Sequence, residues 1–143
     1  MSEKQTMLST FLKQVKDRFG VLEHEFGFRR VLTDDFFARW ENNDVFVQVN
    51  FDARRSFEVH AEIGQLNVLF NGEERPFNFG EVARMAGDSW SPLRTLCGTS
   101  EESLDYALKE LADVLKQHGQ DLLRNEAIAF AILGRQRERE CDE

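Results

Sequence analysis

The stretch of sequence that decides the fold runs from residue 45 to residue 65 and reads VFVQVNFDARRSFEVHAEIGQ. Apolar residues occupy every second position over residues 45–51 and again over residues 57–63. This period of two is typical of β-strands with one buried face, because successive side chains of a strand point to opposite sides. The polar residues 52–55 between the two segments have the length of a hairpin connection. The stretch therefore predicts two neighbouring antiparallel strands.

Weaker strand patterns lie on both sides of this hairpin. Residues 28–33 and 36–40 are strand candidates, and a turn-rich run at residues 41–44 joins them to the hairpin. Residues 66–70 add a short candidate strand, which the turn-forming pair Asn-Gly at 71–72 closes. The sequence therefore predicts an antiparallel meander sheet of three to five strands.

Helical periods flank the sheet. Apolar residues at steps of three and four predict a first helix over residues 5–25, and Gly20 favours a break within it. A short helix is expected from residue 79 to residue 86. The run Thr-Ser-Glu-Glu at 99–102 fits a capping box and begins a long helix that ends at Gly119.

The end of the chain predicts one more helix and a charged tail. Asn125 is a suitable cap for a helix that carries the apolar run 127–133, and residues 135–143 alternate in charge and are expected to fray. Because no internal repeat or linker is present, residues 1–143 are interpreted as a single domain. The predicted fold class is α+β, an antiparallel sheet with the N-terminal helix and the C-terminal helices packed on one face.

Composition and charge exclude two classes of partner. The chain has 143 residues, of which 26 are acidic and 18 are Lys or Arg, and its formal net charge is -8. A protein that binds nucleic acid through phosphate contacts needs a basic face, and the sequence has no segregated basic patch. No apolar run approaches the roughly 18 residues of a membrane span. Neither a nucleic acid nor a membrane partner is therefore expected.

The amino terminus and the cysteines favour a cytoplasmic protein. The first residues lack the basic and apolar regions of a signal peptide. Cys97 and Cys141 belong to no Cys-x-x-Cys motif, and Cys141 lies in the charged tail, where a disulfide has little to brace. The zinc motif HExxH, the phosphate-binding loop and the dinucleotide-binding glycine pattern are all missing from the sequence, so no cofactor is expected.

One row of side chains is a weak catalytic or metal-binding candidate. His60 lies between Glu58 and Glu62 on one face of the second central strand, and the strand rise separates alternate residues by about 7 Å. Such a row suits acid-base catalysis or weak metal binding when further ligands are near. Cys97 is a further candidate, as a nucleophile with His60 as its base. The purely structural interpretation is that the row of Glu58, His60 and Glu62 lies on an ordinary solvent-exposed sheet face. For Cys97 it is that the residue is a small buried side chain.

The second face of the sheet is the candidate partner-binding surface. Phe46 is opposite in phase to Val45 and Val47, so part of this face is apolar. An open sheet face of this kind is often covered by a partner or a second subunit. The sequence therefore favours a non-enzymatic protein-binding module, with a basic protein or a second copy of the chain as its partner. The predicted contact residues are Phe46, Gln48, Glu58, His60 and Glu62.

The central hairpin also resembles known proteins. Residues 45–66, with Asp-Ala-Arg-Arg-Ser-Phe-Glu-Val at their centre, look like the middle of small bacterial α+β proteins of unknown function, some of which resemble immunity proteins of polymorphic toxin systems. In size and acidity the chain is also similar to type III secretion chaperones, from which its two closing helices depart. The resemblance implies a bacterial protein that neutralises or escorts a partner. Two alternatives stay open, an enzyme or metal-binding domain that uses His60 with Glu58 or Glu62, and a structural or regulatory subunit.

Overall fold

The computed structural model describes residues 3–34, 36–88 and 96–142. Within these residues, two helices precede the strands and four follow them. The helices are α1 (Glu3–Phe19), α2 (Val21–Glu25), α3 (Phe79–Met85), α4 (Glu101–His118), α5 (Gln120–Leu123) and α6 (Ala127–Asp142). The strands are β1 (Arg29–Thr33), β2 (Phe37–Glu41), β3 (Val45–Phe51), β4 (Val59–Gln65), β5 (Leu69–Phe70), β6 (Glu73–Glu74) and β7 (Phe77–Asn78).

Five of these strands form one antiparallel sheet in the order β1, β2, β3, β4, β7. The predicted central pair is confirmed, since β3 and β4 are in register from Val45 opposite Gln65 to Phe51 opposite Val59. Alternate residues of both strands are buried, as the period of two predicts. The α+β fold class is therefore confirmed, and β7 supplies the fifth strand beside β4.

The helices pack on the inner face of the sheet, which is the face that Trp40 and Val47 occupy. Phe19 at the end of α1 stacks on Trp40, with 5.6 Å between the ring centroids. The break predicted at Gly20 is confirmed, because α1 ends one residue before it and α2 begins one residue after it. The buried apolar side chains form one core, whose large members include Phe11, Phe51, Phe79, Leu104 and Leu108.

The long helix α4 begins one residue later than the sequence predicts. Its capping box uses Ser100 as the cap and Ser103 at the third helical position, where Thr99 and Glu102 were expected. Thr99 and Ser100 can both cap a helix, and the register of α4 on the core decides between them. α4 is also amphipathic rather than uniformly apolar. In the three described ranges, no helix has the length and the apolar character that crossing a bilayer requires.

The short strand expected over residues 66–70 does not join the main sheet. Only Leu69–Phe70 is extended, and it pairs with Glu73–Glu74 as a separate hairpin. The turn residues Asn71 and Gly72 both have positive φ, at 54° and 82°. This is the geometry of a two-residue hairpin turn that Asn-Gly favours. The hairpin β5–β6 is therefore a two-stranded sheet separate from the main one.

The charged end of the chain is ordered as a helix. Fraying was the expectation for residues 135–143, and in the structure α6 continues through this segment as far as Asp142. Arg137 donates two hydrogen bonds to the carboxylate of Glu81 in α3 and one to the carbonyl of Pro76. At least one charged residue of this segment, Arg137, therefore contacts the rest of the protein and does not only face solvent.

Candidate functional site

The predicted acid-base-acid row lies on the outer face of the sheet, which is the face opposite the helices. His60 is exposed, and its Nε2 lies 3.0 Å from Oε2 of Glu58. Glu62 accepts a hydrogen bond of 2.9 Å from Nε2 of Gln48 on the neighbouring strand. Each carboxylate of the row therefore has its own local partner, and the three side chains do not converge on one point.

Cys97 comes close to this row from the other edge of β4. It forms an isolated antiparallel bridge opposite Glu58, and its thiol is exposed rather than buried. The prediction that Cys97 is a buried side chain is therefore wrong, because the segment that contains Cys97 runs along the edge of the sheet. Across the described ranges, no group of three or more His, Cys, Asp or Glu side chains has the arrangement of a metal site. The metal-binding hypothesis thus gains no support from His60, Glu58 or Glu62.

Phe46 is not an exposed contact residue, which corrects the prediction for the outer face. Its side chain is fully buried at 0% exposure. The guanidinium of Arg39 lies 4.1 Å from its ring centroid, and on the other side the ring fills the space that a Cβ on Gly64 would need. A Cβ there would be 2.6 Å from the Phe46 ring. The apolar side chain is therefore covered by its own chain, and no partner is needed to cover it.

Arg39 organises the polar part of the outer face. It donates to Glu41 at 2.8 Å, to Gln48 at 3.1 Å, and to both oxygens of Glu74 at 2.8 and 3.1 Å. Burial lowers the pKa of the Arg39 guanidinium, but the hydrogen bonds to Glu74 and Glu41 outweigh burial and raise the pKa above its ordinary value. Because Glu74 belongs to β6, this network also ties the β5–β6 hairpin to the sheet.

A groove lies between the β5–β6 hairpin and α6. Its volume is about 380 Å³, within the range of ligand pockets. Phe77 and Phe130 are buried beside it, with ring centroids 6.4 Å apart. The residues that line the groove are Gln65, Val68, Leu69, Phe70, Arg75, Phe77, Ala127, Phe130, Ala131, Gly134, Arg135 and Glu138, and we call this set the docking groove.

The rims of the docking groove are apolar and exposed. Leu69 and Phe70 on the hairpin are 60% and 59% exposed, and Val68 beside them is 54% exposed. On α6, Ile128 is 67% exposed and Ile132 is also exposed, next to the groove-lining turns of the helix. Single exposed apolar residues are ordinary, but contiguous groups of them mark interaction sites. The docking groove therefore combines depth with exposed apolar residues beside it.

The charged side chains of the docking groove are mainly basic. Arg75 and Arg135 line it together with a single acid, Glu138. The guanidinium of Arg75 lies over the rings of Phe70 and Phe77, at 4.8 and 5.4 Å from their centroids. Within the described part of the chain, neither arginine forms an ion pair. A groove with this charge, on a chain with net charge -8, favours an anionic group over a cationic one.

Three polar contacts hold the two walls of the docking groove in place. Gln65 at the end of β4 donates a 2.9 Å hydrogen bond to Asn125, just before α6. The Arg39–Glu74 pair holds the hairpin wall on the sheet. Arg137 holds the helical wall through Glu81.

The sequence predictions missed every apolar residue of this groove. The run 127–133 is apolar on all sides of a helix, a pattern that indicates burial on several faces. Residues 68–70 are likewise apolar just before a hairpin turn. Both signals are visible in the sequence, but which face of each segment stays open depends on the tertiary packing.

Comparison with known proteins adds no name to this geometry. The chain matches no protein-family model, no curated protein and no solved structure. The residues of the docking groove and of the outer face therefore have to be interpreted from their own chemistry.

Proposed function

We propose that the protein is a non-enzymatic protein-binding module that holds a segment of a partner protein in the docking groove. The segment carries apolar side chains that fill the groove and a carboxylate that meets Arg75 and Arg135. This is the helix-in-groove or strand-in-groove mode of recognition, in which a few apolar anchors supply the affinity and a charge fixes the register.

The exposed apolar rim is the observation that supports this function best. Leu69 and Phe70 on one wall of the groove, and Ile128 next to the helical wall, leave apolar surface in water. Burying such surface is worth roughly 25 cal/mol per Å², so covering both walls at once is favourable. A partner segment that lies between the walls covers all of them together.

The carboxylate of the partner follows from the charges of the groove. Arg75 is already stacked on Phe70 and Phe77, so its planar donors are oriented before any ligand binds. An arginine fixed in this way loses less conformational entropy when it meets a carboxylate. An acidic apolar segment is therefore the occupant that the groove fits best.

The outer face of the sheet is a weaker candidate surface. The sequence favoured a basic partner there, but the described carboxylates of that face are paired within the protein, Glu58 with His60, Glu62 with Gln48 and Glu74 with Arg39. A basic partner would have to displace these contacts. The enzyme alternative depends on the same row of Glu58, His60 and Glu62. No observation favours the role of structural or regulatory subunit.

The setting that we propose is the cytoplasm of a bacterium. The exposed free thiol of Cys97 suits a reducing compartment. The bacterial origin and the immunity-like role rest on the resemblance of residues 45–66, and the chaperone-like role rests on size and acidity. In either role the protein would bind another protein, as the docking groove is proposed to do.

Selection of short random peptides displayed on phage tests the proposed function. We expect the enriched peptides to combine two or more apolar residues with Asp or Glu, and to bind in isothermal titration. Ala131→Trp fills the groove and is expected to abolish binding, while Arg75→Gln is expected to weaken binding about tenfold, the worth of one charge-assisted hydrogen bond. Leu32→Ser removes an equally exposed apolar side chain outside the groove and serves as the matched control.

Three results would overturn this function. The first is enrichment of basic peptides without any carboxylate. The second is equal binding of the selected peptides to the wild type and to Ala131→Trp. The third is no enrichment at all, combined with binding of the anionic dye anilinonaphthalene sulfonate in the groove, which would point to a small amphiphilic ligand instead of a protein.

A further inference from the structure

The edge strand β1 is more open than any other strand of the main sheet. All five of its residues are exposed, including Val31 and Leu32 at its centre. Its partner on one side is β2, and no described strand pairs with its other side. The helical layer does not cover it either, since Arg30, which is paired with the buried Trp40, is itself exposed. β1 therefore presents both faces and one backbone edge to solvent.

The hydrogen-bonding phase of β1 shows which backbone groups point to the free edge. Backbone groups of successive residues in an antiparallel strand point alternately to the two sides. The N–H of Asp34 donates to the carbonyl of Phe37 on the β2 side, so the groups of Thr33 point away from β2. A bulge between Arg30 and Leu32 adds one residue and gives Arg30 the same phase as Thr33. The free edge therefore presents the backbone groups of Arg30 and Thr33.

We propose that β1 pairs with β1 of a second copy of the chain, antiparallel about a two-fold axis between Val31 and Leu32. In this register Arg30 lies opposite Thr33 of the second copy, and their outward backbone groups exchange hydrogen bonds. Val31 then lies opposite Leu32 of the second copy. The two five-stranded sheets continue into one across the axis.

The side-chain charges fit this register. It places Arg29 opposite Asp34 of the second copy, and the two-fold axis repeats that pair. Within the described residues Arg29 forms no ion pair, and the carboxylate of Asp34 uses only Oδ1, which accepts from the N–H of Phe36. Opposite charges directly across an antiparallel pair are stabilising, and like charges there are destabilising. The strand is therefore complementary to itself.

This contact is independent of the docking groove and leaves the groove open.

Arginines and a bulge on an edge strand often protect the strand from unwanted pairing. In β1 the same features favour one register, because the bulge brings Arg30 and Thr33 into phase and Asp34 neutralises Arg29. Six paired residues from each copy make a small interface, so we expect a dimer that dissociates on dilution.

A charge swap, followed by sedimentation velocity over a range of concentrations, tests the dimer. We expect Arg29→Asp to raise the dissociation constant of the dimer about tenfold, because two like-charge pairs replace two ion pairs. We expect the same from Asp34→Arg, and we expect the double variant to restore the wild-type value. Lys109→Glu on α4 is the control for a change of net charge, and Phe70→Ser is the control for the docking groove.

A wild-type protein that stays monomeric up to millimolar concentration would overturn the dimer. So would a dimer that both single variants leave unchanged, or one that Phe70→Ser dissociates, because the contact would then lie elsewhere. Circular dichroism of each variant shows that it is folded, and the double variant separates a lost charge pair from a local distortion of the turn that Asp34 stabilises.

Discussion

Arg137 in α6 holds the buried carboxylate of Glu81 in α3 with two hydrogen bonds, of 2.8 and 2.5 Å, across 56 residues of sequence. Glu81 is 4% exposed, and its carboxylate also accepts from the N–H of Asn78 at the start of α3. One carboxylate therefore caps α3 and fixes the helix that forms a wall of the docking groove.

Replacement of Arg137 by leucine is expected to destabilise the protein by about 2–3 kcal/mol. The change leaves the buried carboxylate of Glu81 without its cation, and an uncompensated buried charge is costly. Urea unfolding followed by circular dichroism measures the change. The double variant Glu81→Gln with Arg137→Leu removes the charge as well and is expected to recover part of the loss. A single variant as stable as the wild type would show that the pair contributes nothing.

Replacement of Gly64 by alanine is expected to destabilise the protein by about 1–3 kcal/mol, the usual cost of overpacking. The new methyl group would lie 2.6 Å from the ring of Phe46 and 3.3 Å from the carbonyl of Arg75, and the backbone cannot move easily. Gly134→Ala in α6 is the control, because its nearest neighbour would be 3.6 Å away and alanine favours a helix. In thermal unfolding we therefore expect the midpoint temperature of Gly64→Ala to fall and that of Gly134→Ala to rise.

The pair of Arg18 in α1 and Asp105 in α4 is expected to make stability depend on acid pH. Hydrogen bonds from Arg18 hold the pKa of Asp105 below its ordinary value of 3.8. A carboxylate whose folded pKa is lowered stabilises the fold above its unfolded pKa, and this contribution is lost as the pH falls through the folded pKa. Both side chains are more than a third exposed, so the contribution is about 0.5 kcal/mol.

Unfolding midpoints at pH 7 and at pH 2.5 measure this effect. Asp105→Asn is expected to be less stable than the wild type at pH 7 and nearly equal to it at pH 2.5. An equal difference at both pH values would contradict an electrostatic role for the pair.

Replacement of Glu74 by glutamine is expected to loosen the β5–β6 hairpin without unfolding the sheet. The change removes the charge that Arg39 binds through two hydrogen bonds. Amide hydrogen exchange should become faster in residues 69–74 and stay unchanged in β3. Faster exchange throughout the sheet would mean that the hairpin is part of the cooperative core rather than an attached wall of the groove.

The sequence predicted the parts of the fold that depend on local pattern. Residues 45–65 alternate, and their four-residue connection has hairpin length, so β3 and β4 were predictable from neighbours alone. The break at Gly20 was predictable for the same reason. The capping box of α4 was placed one residue early, because Thr99 and Ser100 have the same capping chemistry.

The other differences from the sequence predictions concern contacts between distant residues. Phe46 was expected to contact a partner because it is opposite in phase to Val45 and Val47, but Arg39 and Gly64 enclose its ring. The tail was expected to fray because its charges alternate, but Arg137 reaches Glu81. The docking groove was missed for the same reason, since it exists only where the hairpin and α6 come together.

Nuclear magnetic resonance shift mapping with a selected acidic apolar peptide tests the docking groove most directly. We expect the amide shifts to change in residues 68–77 and 127–138, and to stay unchanged on the outer face around Glu58, His60 and Glu62. Ala131→Trp is expected to remove these changes while the rest of the spectrum stays that of the folded protein. Shift changes centred on Glu58, His60 and Glu62, or changes that persist in Ala131→Trp, would contradict the docking groove as the binding site.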